Sequence, residues 1–81
     1  MMLIKSDDVY YIVDASGNQV VKFEKYSFGR HGHWKGYMTY RKTDAGEWMW
    51  TGVDRRIVKV TFADPEYFRN LKEIKSYYNM A

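Results

Sequence analysis

The chain has no cysteine among its 81 residues. This absence excludes disulfide bonds and thiolate metal sites, and it gives no reason to expect a secreted, cross-linked fold. No apolar run approaches the roughly 20 residues that a helix needs to cross a bilayer. The first residues become acidic too early for a signal peptide. These absences predict a cytoplasmic protein that has no membrane partner.

Motifs for catalysis and cofactor binding are also missing. The six glycines form neither a phosphate loop nor a nucleotide-binding pattern, and no nucleophile or paired-carboxylate motif is present. His31 and His33 are the only pair that resembles metal ligands, but a stable site needs a third or fourth ligand. We therefore predict a protein that is not an enzyme and holds neither cofactor nor metal, with both histidines in a solvated loop.

Aromatic residues are abundant: eight Tyr, four Phe and three Trp make up 19% of the chain. An apolar content of 46% is too high for a disordered protein. A chain of this length buries one small core, to which large rings contribute most of the apolar area. The composition predicts a single domain over residues 1–81.

Two hairpins are predicted from turn signals between β-branched and aromatic runs. The first joins residues 9–13 and 20–23 through a three-residue loop that ends in Gly17, and residues 1–5 add a short strand. In that register Val9, Tyr11, Val13, Val21 and Phe23 lie on one apolar face. The second hairpin joins residues 34–42 and 47–53.

A further strand over residues 56–62 and one helix complete the predicted fold. Asp64 is a suitable N-cap and Pro65 a suitable first helical residue. The helix carries one apolar stripe, made of Phe68, Leu71, Ile74 and Tyr78. The predicted class is α+β: a small antiparallel β-sheet or partly open barrel of about five strands, two hairpins plus one strand, with one C-terminal amphipathic helix packed on it.

The orientation of Trp48 and Trp50 depends on the length of the second turn. A three-residue loop over 44–46, with Gly46 in the left-handed region, places Trp48 opposite Lys42 and Trp50 opposite Tyr40. We expect both indoles in the core, with the opposite face of the hairpin in solvent. An even-numbered turn would instead expose the indoles beside the cations of the first strand, as a platform on which bases stack.

Positive charge is concentrated in two segments. The net charge is +3, but residues 22–42 hold six cations against one carboxylate, and residues 55–62 hold three cations and no carboxylate. A local excess of this kind favours a polyanionic partner. The predicted nucleic-acid contacts are Arg30, Lys35, Tyr37, Arg41, Arg55, Arg56 and Lys59. They predict a small non-catalytic binding module that contacts nucleic acid, DNA or RNA, mainly through phosphates.

A protein partner is the alternative. The order of hairpin, meander and C-terminal helix resembles the small archaeal chromatin barrels, which implies binding to duplex DNA. The small size, aromatic content and lack of catalytic motifs resemble small viral accessory proteins, which implies a protein–protein interaction domain that inhibits a host or defence enzyme. Acidic residues beside basic ones suit such an interface, or a homo-oligomer.

Overall fold

The computed structural model describes residues 1–29, 34–54, 56–58 and 62–80, with the backbone alone at Phe28 and Trp34. The elements are β1 (Met2–Ser6), β2 (Val9–Val13), β3 (Gln19–Phe28), β4 (Trp34–Lys42), β5 (Trp48–Trp50), β6 (Tyr67–Phe68) and α1 (Leu71–Tyr77). The α+β prediction is confirmed: the first five strands form an antiparallel sheet that does not close, and one short helix lies near the C-terminus.

The sheet is a meander with its strands in chain order, β1-β2-β3-β4-β5. The two-residue strand β6 also pairs with β4, at Tyr37 and Met38, while β5 pairs with β4 from Tyr40 to Lys42. Because β3 occupies the other side of β4, β5 and β6 follow one another along a single edge of that strand. Strand β1 forms the opposite edge of the sheet.

The first hairpin has the predicted loop. Gly17 has a φ of +85°, and the Asp14 carboxylate accepts hydrogen bonds from the backbone amides of Ser16 and Asn18 at 2.9 and 3.0 Å. These bonds hold the pKa of Asp14 below its usual value, with the Asn18 backbone as the largest cause. Local side-chain chemistry therefore sets this turn.

The register beyond that loop differs from the prediction. Val13 pairs with Gln19 but Ile12 pairs with Val21, so Val20 is an extra residue in a β-bulge. A shift of one residue exchanges the two faces of a strand. The predicted face that joins Val9, Tyr11 and Val13 to Val21 is therefore wrong, and Tyr10 and Ile12 take that side instead.

The core lies between the sheet and the C-terminal segment. Its fully or nearly buried members are Ile12, Val21, Phe23, Phe68 and Ile74, each at most 5% exposed. The Phe23 ring meets the Phe68 ring at 5.8 Å and the Tyr78 ring at 5.9 Å, both in edge-to-face arrangements. Such ring pairs stabilise a small core beyond the area that they bury.

The helix begins at Leu71, six residues after the predicted first helical residue Pro65. Its N-cap is Asn70, whose side-chain oxygen accepts from the Glu73 amide at 2.9 Å, and the Glu73 carboxylate accepts from the Arg69 amide at 2.9 Å. Phe68 belongs to β6 rather than to the helix. The predicted stripe nevertheless packs inward, because Phe68 and Ile74 are buried while Leu71 and Tyr78 contact the core.

The predicted strand over residues 56–62 is wrong where it begins. The amides of Ile57 and Val58 both donate to the Asp54 carbonyl at 3.0 Å, which makes this stretch a turn. Residues 59–61 lie outside the described part of the chain. Within the described ranges, no helix combines the length and the hydrophobicity that a bilayer span requires.

Candidate functional site

The second hairpin has the predicted register, but the face that carries its two tryptophans points away from the core instead of into it. Trp48 pairs with Lys42 and Trp50 pairs with Tyr40 across a loop in which Gly46 has a φ of +82°. However, Val21 pairs with Arg41 and the buried Phe23 pairs with Thr39, so Thr39 and its neighbours on the same side point into the core. The expectation of buried indoles is therefore wrong, since Trp48 and Trp50 lie on the side away from α1.

Aromatic side chains line this second side of the sheet, which we call the outer face. Its members are Tyr11, Lys22, Tyr40, Lys42, Trp48 and Trp50, and Tyr26 and Tyr67 continue it towards β6. The rings of Tyr11, Tyr40, Trp48 and Trp50 are partly exposed, and Tyr67 is 45% exposed. The outer face thus presents rings from five strands, β2 to β6.

Two ammonium groups lie among these rings. Lys22 Nζ is 4.7 Å from the centre of the Tyr40 ring and 5.3 Å from that of Trp48, and Lys42 Nζ is also 5.3 Å from Trp48. Tyr11 packs against Trp48 with 6.0 Å between ring centres. Cation–π contacts of this kind hold rings and charges in a fixed arrangement.

Lys22 is the more buried of the two cations. Its side chain is only 16% exposed, and its ammonium group is 3.8 Å from the Glu24 carboxylate. Burial, followed by the charge of Glu24 and a hydrogen bond to it, raises the pKa of Tyr40. The Tyr40 hydroxyl is therefore protonated at neutral pH, and it donates to the Glu24 carboxylate.

Trp50 has a more structural position than Trp48. Its indole nitrogen donates to the Glu66 carbonyl at 3.1 Å, which ties β5 to the segment before β6. A Cβ atom at Gly52 would lie 2.5 Å from Cζ2 of the indole, so only glycine leaves room for the ring there. Among the described contacts, the side chains of Trp48 and Tyr11 form no hydrogen bond to the backbone.

Arg41 is bound by a carboxylate within the fold. Its Nε and Nη2 donate to the two carboxylate oxygens of Asp64 at 2.8 and 3.2 Å, and the Tyr78 hydroxyl donates to the same group at 2.7 Å. Burial opposes ionisation of Asp64, but the bonds from Arg41 and Tyr78 outweigh it and hold the pKa of this carboxyl below its usual value. The charge of Arg41 is thus neutralised within the fold.

The other predicted contacts whose positions are described do not form one patch with Arg41. Arg56 folds back on Asp54, with its Nη2 3.0 Å from the carboxylate, in an exposed turn. Tyr37 packs against the core with its ring edge-on to Tyr10 at 5.7 Å. Lys35 is exposed. The remaining predicted contacts, Arg30, Arg55 and Lys59, lie outside the described residues.

Lys35 and Tyr37 do share a cleft of about 790 Å³ beside the start of α1. Three further cations line it: Lys25, Arg69 and Lys72. We call this feature the basic cleft. The sequence prediction missed these three residues, and it missed Tyr11 and Lys22 on the outer face. The strict alternation of Val21, Lys22, Phe23 and Glu24 was a signal for the outward direction of Lys22.

No group of three or more His, Asp or Glu side chains that could hold a metal occurs among the residues with described positions, and His31 and His33 are not among those. Comparison with known protein families, with characterised proteins and with solved structures finds no match for this chain. Its function is therefore argued from the chemistry of the outer face and of the basic cleft.

Proposed function

We propose that this protein is a non-catalytic module that binds single-stranded nucleic acid on its outer face. The supporting observation is the set of partly exposed rings of Tyr11, Tyr40 and Trp48, held side by side with Lys22 and Lys42. Nucleobases stack on such rings, and ammonium groups between them bind the phosphates of the same strand. The helix packs on the other side and leaves these groups accessible.

Single strands suit this surface better than duplexes. A base that stacks on a protein ring must first leave its own stack, which costs a few kcal/mol in a duplex and much less in a single strand. Each base–ring stack contributes about 1–3 kcal/mol. Stacking is tolerant of base identity, so we expect weak sequence preference. Lys22 and Lys42 add a dependence on salt, because each neutralised phosphate releases counterions.

The test compares two tyrosines on opposite sides of the molecule. Tyr11 lies on the outer face, whereas Tyr77 lies on α1 and is 46% exposed. In fluorescence anisotropy with a labelled oligonucleotide of about 12 nucleotides, Tyr11→Ala is expected to weaken binding about 5- to 150-fold. Tyr77→Ala is the matched control and is expected to bind like the wild type.

Two results would contradict the proposal. One is the absence of binding by the wild type at low salt. The other is equal affinity of wild type and Tyr11→Ala when circular dichroism shows both to be folded. A duplex of the same sequence serves as the second ligand, and it is expected to bind more weakly than the single strand.

A protein partner is the second candidate. Met1 and Met2 are 73% and 62% exposed beside a groove of about 640 Å³ between edge strand β1 and the C-terminal segment. Met80 also lines this groove, and flexible methionine side chains suit protein partners. Light scattering over a concentration series tests self-association at this edge. A dimer that Met2→Glu dissociates would favour this candidate.

A further inference from the structure

We propose that the basic cleft is a second ligand site, distinct from the outer face, which binds a chain of phosphate groups. Such a chain is present in the backbone of a nucleic acid and in inorganic polyphosphate. The proposal does not depend on stacking at the outer face. It rests on where the fold brings four cations together and on what surrounds them.

The cations come from three parts of the chain. Lys25 lies on β3 and Lys35 on β4, while Arg69 and Lys72 lie on either side of the helix N-cap. Lys25 pairs with Tyr37 and Ser27 pairs with Lys35, so the two lysines are diagonal neighbours on the same side of the sheet, a spacing of roughly 7–8 Å. Residues more than 30 positions apart thus contribute charge to one cleft.

Little negative charge balances them. No carboxylate lines the basic cleft, and Lys25, Lys35 and Lys72 form no ion pair within the described part of the chain. Arg69 is 3.8 Å from Glu73, but both side chains are largely exposed, so water weakens this pair. Like charges around one concavity repel each other, and a multivalent anion removes that repulsion.

The walls of the cleft suit an extended anion. Ser27 is exposed beside the lysines and offers a hydroxyl donor, and Arg69 offers the planar fork that binds phosphate oxygens in pairs. Gly36 lets the segment before α1 approach β4 closely, because a Cβ atom there would lie 2.6 Å from the Phe68 carbonyl oxygen. The cleft volume of about 790 Å³ exceeds what a single small ion fills.

The experiment titrates sodium tripolyphosphate into the full chain by isothermal calorimetry at low salt. Lys35→Gln/Lys72→Gln removes two cations of the cleft, and Lys5→Gln/Lys75→Gln removes two cations outside it as the matched control. Lys75 lies on the same helix as Lys72, one turn away. We expect the first pair to weaken binding roughly tenfold or more and the control pair to leave it unchanged.

A second arm identifies the source of the phosphates. If the cleft takes a nucleic-acid backbone, Lys35→Gln/Lys72→Gln weakens single- and double-stranded oligonucleotides alike and lowers the salt slope by roughly 0.7–0.9 per lost contact. If it takes free polyphosphate, only the tripolyphosphate affinity falls. Tyr11→Ala is expected to leave tripolyphosphate binding intact, so failure of this site and failure of the outer face are distinguishable.

Three results would overturn the proposal. They are no tripolyphosphate binding by the wild type at low salt, equal weakening by the two double variants, and displacement of tripolyphosphate by polyglutamate of equal charge at equal or lower concentration. The last result would show a site for acidic peptides rather than for phosphates. Urea unfolding of each variant verifies that the binding is measured on folded protein.

Discussion

Arg41, Asp64 and Tyr78 form a connected set of polar contacts between β4 and the C-terminal segment. Arg41 and Asp64 are separated by 23 residues in the chain, and the Asp64 side chain is only 5% exposed. Arg41 thereby lies on the core side of β4 without an uncompensated charge. From the sequence, Arg41 is predicted to contact nucleic acid and Asp64 to cap the helix. The two residues are far apart in the chain, so the sequence gives no sign that they pair with each other.

Removal of the Asp64 charge is expected to destabilise the fold. In Asp64→Asn the charged hydrogen bonds from Arg41 and Tyr78 weaken, and we expect a loss of about 2 kcal/mol in the free energy of unfolding at pH 7. The matched control is Asp54→Asn, which removes the exposed partner of Arg56 and is expected to change nothing measurable. Urea unfolding at equilibrium measures both.

The difference in stability between the wild type and Asp64→Asn is expected to depend on pH. The pKa of Asp64 is lowered in the folded protein, so between this value and the ordinary 3.8 the folded state binds fewer protons than the unfolded state. The stabilisation is therefore present above about pH 4 and disappears as the pH falls through the lowered pKa. A difference between wild type and Asp64→Asn that persists unchanged towards pH 2 would contradict this account.

At the scale of elements, β6 and the start of α1 depend on close approach to β4. Gly36 faces the Phe68 carbonyl oxygen, and a Cβ atom at Gly36 would be 2.6 Å from it. Glycine at this position therefore allows the C-terminal segment to reach the sheet. The approach also brings Arg69 and Lys72 near Lys35, and so it shapes the basic cleft.

Gly36→Ala is expected to weaken the contact between β4 and β6. The added methyl group meets backbone, which yields less readily than a side chain, so we expect a loss of about 1–3 kcal/mol in thermal or urea unfolding. Gly46→Ala is the comparison: it has a φ of +82° but nothing within 4 Å of the added atom. Its cost is limited to about 1–2 kcal/mol of backbone strain. Amide exchange is expected to rise at Tyr37 and Thr39 in Gly36→Ala alone.

The molecule as a whole is a sheet with two different sides. The helix and the core cover one side, and rings and lysines form the other. The outer face is centred on Trp48, and the basic cleft lies beside α1 and meets the outer face at Tyr26. A protein built this way has room for two contacts with one long polyanion.

Tryptophan quenching is expected to report the orientation of the sheet. In a Trp34→Phe/Trp50→Phe background, Trp48 remains the only indole, and two ammonium groups lie 5.3 Å from its ring. At low ionic strength iodide is attracted to these charges and caesium is repelled, so iodide is expected to quench the emission more strongly. Lys22→Gln/Lys42→Gln should abolish the difference. Blue-shifted emission insensitive to both ions would place Trp48 in the core and contradict the outer face.

Local chemistry made much of this fold predictable. Residues close together in the chain determine the loops that end in Gly17 and Gly46, the pairing of Trp48 with Lys42 and the span of β4. They also determine that Leu71 and Ile74 of α1 face the core. Turn geometry fixes register within a hairpin. Helical spacing fixes which side chains share a face. These features require no knowledge of distant partners.

Tertiary structure alone decided which side of the sheet became the core. The bulge at Val20 shifted the first hairpin by one residue, and the pairing of β3 with β4 carried Thr39 and Arg41 to the buried side. Asp64 pairs with the distant Arg41 and does not cap the helix. The basic cleft formed because the C-terminal segment returned to β4. Each outcome depends on contacts between residues far apart in sequence, and no local pattern encodes the energy of such contacts.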